Sequence, residues 1–379
     1  MCLRTVTLYG ESPGEILSAI SESALQNPTL GILFSSVTLG IEDLASKLST
    51  LPFPVIGCST AGEILPGRGE SPMSELSAVG CLLNPDPAVF RVQIFDRNDL
   101  SSFDLGRSIG KYGENQFKNP VFFIFISGLA MDGEEILRGI SESLAGPAKI
   151  YGGRAGDDGR YEETFVFTSG ICSSDGVAAL ILEGTAFEIH GLVTSGWRGV
   201  GMEKIVTSSE GNAVYSINNQ PAIDLYLQYL GIREEDVPRL TASFPLIIKR
   251  KEGSEYIRTP VGVDRSSHAL IFGGSVPQGS VVRLASSPGR ETIRISINDI
   301  TRFYKEIQSA HLLLLFSCMA RHNATGTHVA DEINAAYQAG TAPLIGFFSY
   351  GEIGMNEHEE CEFHNETFSL VTIRQRRRR

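Results

Sequence analysis

The chain has 379 residues, of which 42% are hydrophobic and 20% charged, with a net charge of −12. This composition can bury a core and excludes disordered and collagen-like chains. An acidic balance also works against grip on a phosphate backbone, which needs clustered Lys and Arg, so nucleic acid is not an expected partner.

The first apolar run, Leu30–Phe34, reads as a buried strand ending at Ser35-Ser36. Ile41, Leu44, Leu48 and Leu51 then recur at helical spacing, and Pro52-Phe53-Pro54 stops that helix. A second strand begins at Val55 and runs into Cys58-Ser59-Thr60-Ala61-Gly62-Glu63-Ile64. Two strands joined by a helix favour a parallel pair. The pattern recurs with strand Val121–Ile126, a helix marked by Ile136, Leu137, Ile140 and Leu144, and Ile150–Asp157. It recurs again with Leu312–Phe316, a helix carrying Val329, Ala330, Ile333 and Tyr337, and Leu344–Ile353.

Residues 54–64 (PVIGCSTAGEI) and 343–353 (PLIGFFSYGEI) agree at six of eleven positions. The middle copy keeps only Ala155-Gly156-Asp157, set against Ala61-Gly62-Glu63. The expected fold class is α/β: two domains with mixed sheets flanked by helices and an internal duplication of strand–helix–strand units. Between the second and third units the chain is strand-rich, with short strands expected at 164–168, 176–182, 187–192, 203–207 and 213–217. Further strands follow at 246–249, 257–261, 269–272 and 281–285, and Pro221 opens a helix. The domains are placed at 1–212 and 213–373, followed by a basic tail, 374–379, that holds five Arg and is read as solvated and disordered.

The six Cys are scattered without framework spacing, which suits reduced thiols in a cytoplasmic protein. No apolar run approaches the ~20 residues of a membrane span, and the first residues lack a leader's apolar stretch.

Taken in order, Ile56–Ile64, Tyr151–Asp157, Gly196–Gly201, Phe316–Arg321, Gly351-Glu352-Ile353 and His364–Thr367 resemble the FIST family, a FIST N domain followed by a FIST C domain. The resemblance implies a non-enzymatic intracellular sensor of a small ligand, with amino acids or related metabolites as the class. It also implies an output through a separate partner, a histidine kinase or a cyclic-di-GMP protein. Some members carry haem and sense nitric oxide. No C-x-x-C-H attachment motif is present here, so no cofactor is assigned and haem stands as the alternative.

Gly-rich strand ends let backbone approach a ligand, but neither G-x-x-x-x-G-K-[ST] nor G-x-G-x-x-G occurs. The expected ligand site comprises Cys58, Ser59, Thr60, Gly153, Arg154, Asp157, Arg321, Tyr350, Glu352, His364 and Asn365, because ligands of parallel sheets sit beyond the strands' carboxyl ends. Arg154 or Arg321 could hold a carboxylate bidentately and Asp157 or Glu352 an amine. The competing reading pairs acid with Arg to close a core. No catalytic residue is assigned. A hydrolase or transferase using Cys58 or Cys318 is the rival class, and each thiol would need a neighbouring base. His358, Cys361 and His364, with Cys318, His322 and His328, have the residue types of a zinc site but no CxxC pair, so no metal ligand is assigned.

Overall fold

A computed structural model describes residues 3–231, 233, 244–250, 253–264, 266–307, 309–356 and 358–376. Three six-stranded sheets share one strand order. At the centre of each is a parallel pair spanned by helix. The first unit pairs Leu30–Ser35 with Val55–Ser59 across helix Ile41–Leu48. The second pairs Pro120–Ile126 with Lys149–Arg154 across Gly133–Glu142. The third pairs Leu312–Cys318 with Leu344–Ser349. Its connection holds two helices, Met319–Thr325 and Val329–Gly340, where the periodicity indicated one. All three leading strands are buried on both faces, which is why they read as unbroken apolar runs.

Beside each leading strand lies an antiparallel strand from later in the chain: Ala78–Leu83, Gly176–Glu183 and Phe368–Gln375. Outside that comes one from earlier: Thr5–Gly10, Phe90–Asp96 and Phe187–Thr194. The other edge is filled by a neighbour's hairpin. Val166–Thr168 of the second unit joins the first sheet, and Glu352–Met355 of the third joins the second. Glu63–Ile64 of the first joins the third. The exchange closes a ring. Where the chains cross, three backbone bonds repeat the same geometry: Gly156 N to Ser59 O at 3.0 Å, Tyr350 N to Arg154 O at 3.2 Å, and Ala61 N to Phe348 O at 2.9 Å.

Phe34, Phe125 and Phe316 hold the matching position in the leading strands and meet on the ring's axis, with centroids 5.3–6.4 Å apart. Phe347 fills the remaining space, 4.7 Å from Phe34. Gly57, Gly152 and Gly346 also match. A Cβ at each would sit only 1.8–2.0 Å from the carbonyl oxygen of Leu33, Ile124 or Leu315. Only glycine lets the parallel strands approach this closely.

A second body interrupts the third unit between Phe187–Thr194 and helix Arg290–Glu306. It is one eight-stranded antiparallel sheet, residues 198–286, with helix Ala222–Leu230. Its own core includes Val206, Val214, Tyr226, Leu246, Phe272 and Val282. Two bodies are thus present, but not as consecutive halves. A boundary at 212 falls in the turn between the paired strands Arg198–Glu210 and Ala213–Ile217, and Phe187–Thr194 pairs with Phe368–Gln375. The basic tail needs correcting too. Arg374 and Gln375 belong to that last strand, and Arg376 N bonds Ala186 O. Residues 377–379 lie outside the described residues. Among the described residues no helix is long and apolar enough to cross a membrane.

Candidate functional site

The repeated Gly-Glu-Ile segments build matching hydrogen-bond sets. Glu63 accepts from Thr60 Oγ1, from Ser77 Oγ at 2.7 Å and from Ser77 N at 3.2 Å. Glu352 accepts from Ser349 Oγ at 2.6 Å, from Thr367 Oγ1 at 2.8 Å and from Thr367 N at 3.2 Å. Each carboxyl ties an outgoing hairpin back to its own unit. Burial pushes Glu63 up to about 7 and Glu352 up to about 8, against the opposing pull of these bonds. With every oxygen engaged, both are structural clasps.

Asp157 is not their third counterpart. The ladders set Val166, which faces Cys58, in the place of Glu63 and Glu352, which face Phe347 and Gly153. Gly156 and Phe165 match the consecutive pair Ala61-Gly62 in the crossing bonds, so residues 157–164 are an insertion. Asp157 shapes that loop. It accepts from Tyr161 N at 2.9 Å, Glu162 N at 2.6 Å and Glu163 N at 3.0 Å, and from Tyr350 Oη. Tyr161 stacks on Tyr350 at 4.5 Å.

The other expected residues separate by role. Cys58 lies in the axial core, where burial holds its thiol well above the usual range. Ser59 Oγ accepts from Phe165 N at 2.8 Å and donates to Gly156 O at 2.6 Å, fixing the crossing. Gly153 packs there as well, against Gly351. Arg321 stands apart from the crossing. Both it and Glu332 are fully buried and pair bidentately at 2.9 and 2.8 Å, and Arg321 also donates to Ser195 O and Ser296 Oγ. Its fork is committed to these partners, and the acid it pairs with is Glu332 rather than Asp157 or Glu352. Arg154 donates to Met131 O and lies over Phe363, 5.2 Å from the ring centroid. Its Nε has no partner among the described residues, and burial lowers the guanidinium to about 10.

His364 and Asn365 border the inserted body. Thr259 N donates to Asn365 Oδ1 at 3.4 Å, Arg258 joins Phe363 O and Glu134, and Arg250 pairs with Glu362 at 2.7 Å. Burial lowers His364 to about 4, so it is neutral near pH 7, and its Nε2 has no partner among the described residues.

One residue absent from the expected set stands out. Glu366 is fully buried yet adopts φ 59°, the left-handed region that disfavours a side chain. Thr259 Oγ1 donates to its Oε1 at 2.9 Å, while Oε2 has no partner among the described residues. Burial raises it to about 8, the nearby Glu352 carboxyl adds to that, and Arg321 pulls the other way. The matching residue of the first unit, one before Ser77 as Glu366 is before Thr367, is Leu76. It has φ 56° but lies 54% exposed. The Ser317 hydroxyl beside Cys318 is likewise buried without a partner among the described residues. Cys318 N bonds Thr367 O at 3.0 Å, and its thiol is held up first by burial, then by Glu352 and Glu366. Sequence reading met the His364–Thr367 stretch, but nothing local showed that a distant strand would cover Glu366.

Both thiols proposed for the rival enzyme class are therefore held protonated. Among the described residues no group of three or more His, Cys, Asp or Glu is placed to hold a metal ion. His190 lies 43% exposed beside Glu188, which does not fit an axial haem ligand in an apolar pocket. Two surface grooves, of about 390 and 820 Å³, are lined by other residues than Glu366 and its partners, among them Arg290, Ile293 and His328 in one and Tyr9, Arg68 and Tyr337 in the other.

Family comparison agrees with this architecture. The FIST N domain matches residues 29–220 and the FIST C domain residues 222–355. This chain belongs to the FIST family. FIST domains are associated with sensing in signal transduction. Two uncharacterized proteins of Mycobacterium tuberculosis, from strains CDC 1551 and H37Rv, are each 23% identical to this FIST protein over 353 residues, 89% of either chain. The two family segments meet at 220–222 in sequence, but in space the FIST C segment supplies strands to FIST N sheets and receives others.

Proposed function

We propose that this FIST protein is a small-ligand sensor module whose ligand binds at the end of strand Leu312–Cys318, beside Glu366. One observation carries the reading: three departures from the ring's repeat meet there. The inserted body arrives through Thr259, bonded to Glu366. The extra helix Met319–Thr325 begins there. The inserted loop 157–164 reaches over it, with Gly159 close against Met319. Tyr161 lies within electrostatic reach; burial first, then the charges of Cys318, Asp157 and Glu366, push its phenol up to about 12. A fold that breaks its own regularity, strains a buried acid and leaves Ser317 and Glu366 short of partners at one point has the marks of a working site.

The family resemblance suggests amino acids or related metabolites as the ligand class. It also suggests output through a separate protein, a histidine kinase or a cyclic-di-GMP protein. A polar contact between the two bodies suits a sensor, because a ligand that favours one arrangement shifts the population toward it.

The test is a thermal-shift panel of amino acids, amines and related metabolites on the full chain. A ligand at 100 times its Kd should add about 2.7 kcal/mol. That gain should shrink in Ser317→Ala. A panel without a single stabilising compound would count against the sensor reading, and a ligand indifferent to Ser317→Ala would move its site elsewhere.

A further inference from the structure

The ion pairs around this site bear on the chemistry of what it recognises. Three buried or half-buried guanidinium groups near it each have a carboxylate, Arg321 with Glu332, Arg258 with Glu134, and Arg250 with Glu362, while a fourth, Arg154, donates to the Met131 carbonyl. Arg258 is further occupied by the carbonyls of Ile257, Phe363 and Ser275. Glu352 has no cation, but three donors fill its oxygens. Among the described residues Glu366 forms no ion pair, Arg321 acting on it only at a distance, and it lacks a full set of donors, because Thr259 serves only Oε1. Apart from Arg154, whose Nε has no partner among the described residues, an anion arriving here would meet guanidinium groups already committed. A cation would meet an acid with an oxygen that has no partner among the described residues.

We propose that the ligand is an organic cation whose amine or guanidinium group donates to Glu366 Oε2, with no carboxylate required. This rests on the sensor reading above and names its ligand class. The acid is held protonated near neutral pH by burial, so pairing converts it to a carboxylate as the cation enters. The carboxyl O–H bond breaks, the proton leaves to solvent, and the ligand keeps its positive charge. Binding and proton release are one event. The left-handed backbone at Glu366 keeps the carboxyl at the junction, where Thr259 of the inserted body closes against it.

Titration calorimetry on the full chain tests this with three probes: agmatine, arginine and glutamate. Agmatine and arginine share a guanidinium and differ in the carboxylate. Measurements at pH 7 in phosphate and in Tris, which differ in protonation enthalpy, count the protons released. The expected result is binding of agmatine at least as tight as that of arginine, with close to one proton released and no binding of glutamate. Glu366→Gln should weaken agmatine about tenfold or more and abolish the proton release. Ser317→Ala, which removes an unpartnered hydroxyl and should fold normally, should weaken it less. If glutamate binds and Glu366→Gln leaves its affinity unchanged, the cation assignment fails while the sensor reading stands. If no probe binds but a panel compound does, Glu366→Gln decides: an amine that it weakens tenfold or more supports the assignment, and a ligand that it leaves unchanged refutes the cation assignment alone. If nothing in either set binds, both fail.

Discussion

Replacing Arg321 with Met separates a core-closing guanidinium from a ligand-gripping one. Arg321 and Glu332 are both fully buried, joined by two bonds of 2.9 and 2.8 Å, and Arg321 also serves Ser195 O and Ser296 Oγ. Methionine matches the stem but removes the charge, which leaves Glu332 buried opposite apolar atoms. Breaking a buried pair from one side costs about 3–5 kcal/mol, mostly from the stranded partner. Replacing both, as Arg321→Met with Glu332→Leu, removes the stranded charge and should recover most of that loss. The assay is denaturant unfolding followed by far-ultraviolet circular dichroism and by fluorescence of the single tryptophan. Trp197 is buried in a cluster flanked by Ala324 of helix Met319–Thr325, so it reports on the same neighbourhood. If Arg321→Met lies within about 1 kcal/mol of wild type, or the double variant is no more stable than the single, the pair is not the clasp described here and the guanidinium is free for other work.

Two further outcomes test the ring and its acids. Gly57→Ala and Gly346→Ala each drive a Cβ into a facing carbonyl and should each cost about 1–3 kcal/mol or more; a neutral effect in a melting series would show that the strands can separate there. Glu63, Glu352 and Glu366 sit at about 7, 8 and 8, above the unfolded carboxyl range, so the folded state holds extra protons in between. Their contribution is full below the unfolded value and is lost as pH rises through 7–8. Stability should therefore fall from pH 6 to pH 9, and Glu352→Gln should flatten that slope; an unchanged slope would mean that Glu352 titrates normally.

The units were legible because their signals are local. Apolar runs gave Leu30–Ser35, Pro120–Ile126 and Leu312–Cys318, and Pro and Gly marked where helices stop. The Gly-Glu-Ile segments at 62–64 and 351–353 both lead into strands that pair with a neighbouring sheet. The middle copy was misaligned by one position, because an inserted loop happens to begin with Asp157 where the repeat has an acid, and the true counterpart is Val166. Phe90–Asp96 and helix Ser102–Gln116 went unread, as did helix Arg290–Glu306, since half-exposed elements carry weaker periodicity. The hairpin exchange left no trace in sequence: Glu63 and Phe347 are neighbours only through the ring. Arg321 was singled out as chemically interesting, but its partner Glu332 lies on the next helix, and only packing shows the two joined.

The exchanged hairpins also set an order of events during synthesis. Glu63–Ile64 and its partner strand Met73–Ser74 have no sheet to join until Leu344–Ser349 leaves the ribosome. Phe187–Thr194 waits longer still, for Phe368–Gln375, which slots between it and Leu312–Cys318. A nascent chain thus carries open strand edges across most of its length and closes them almost together at the end. Such edges recruit other chains while they stay unpaired. Expression of the FIST N segment alone should therefore yield aggregates or chaperone-bound material rather than a free domain.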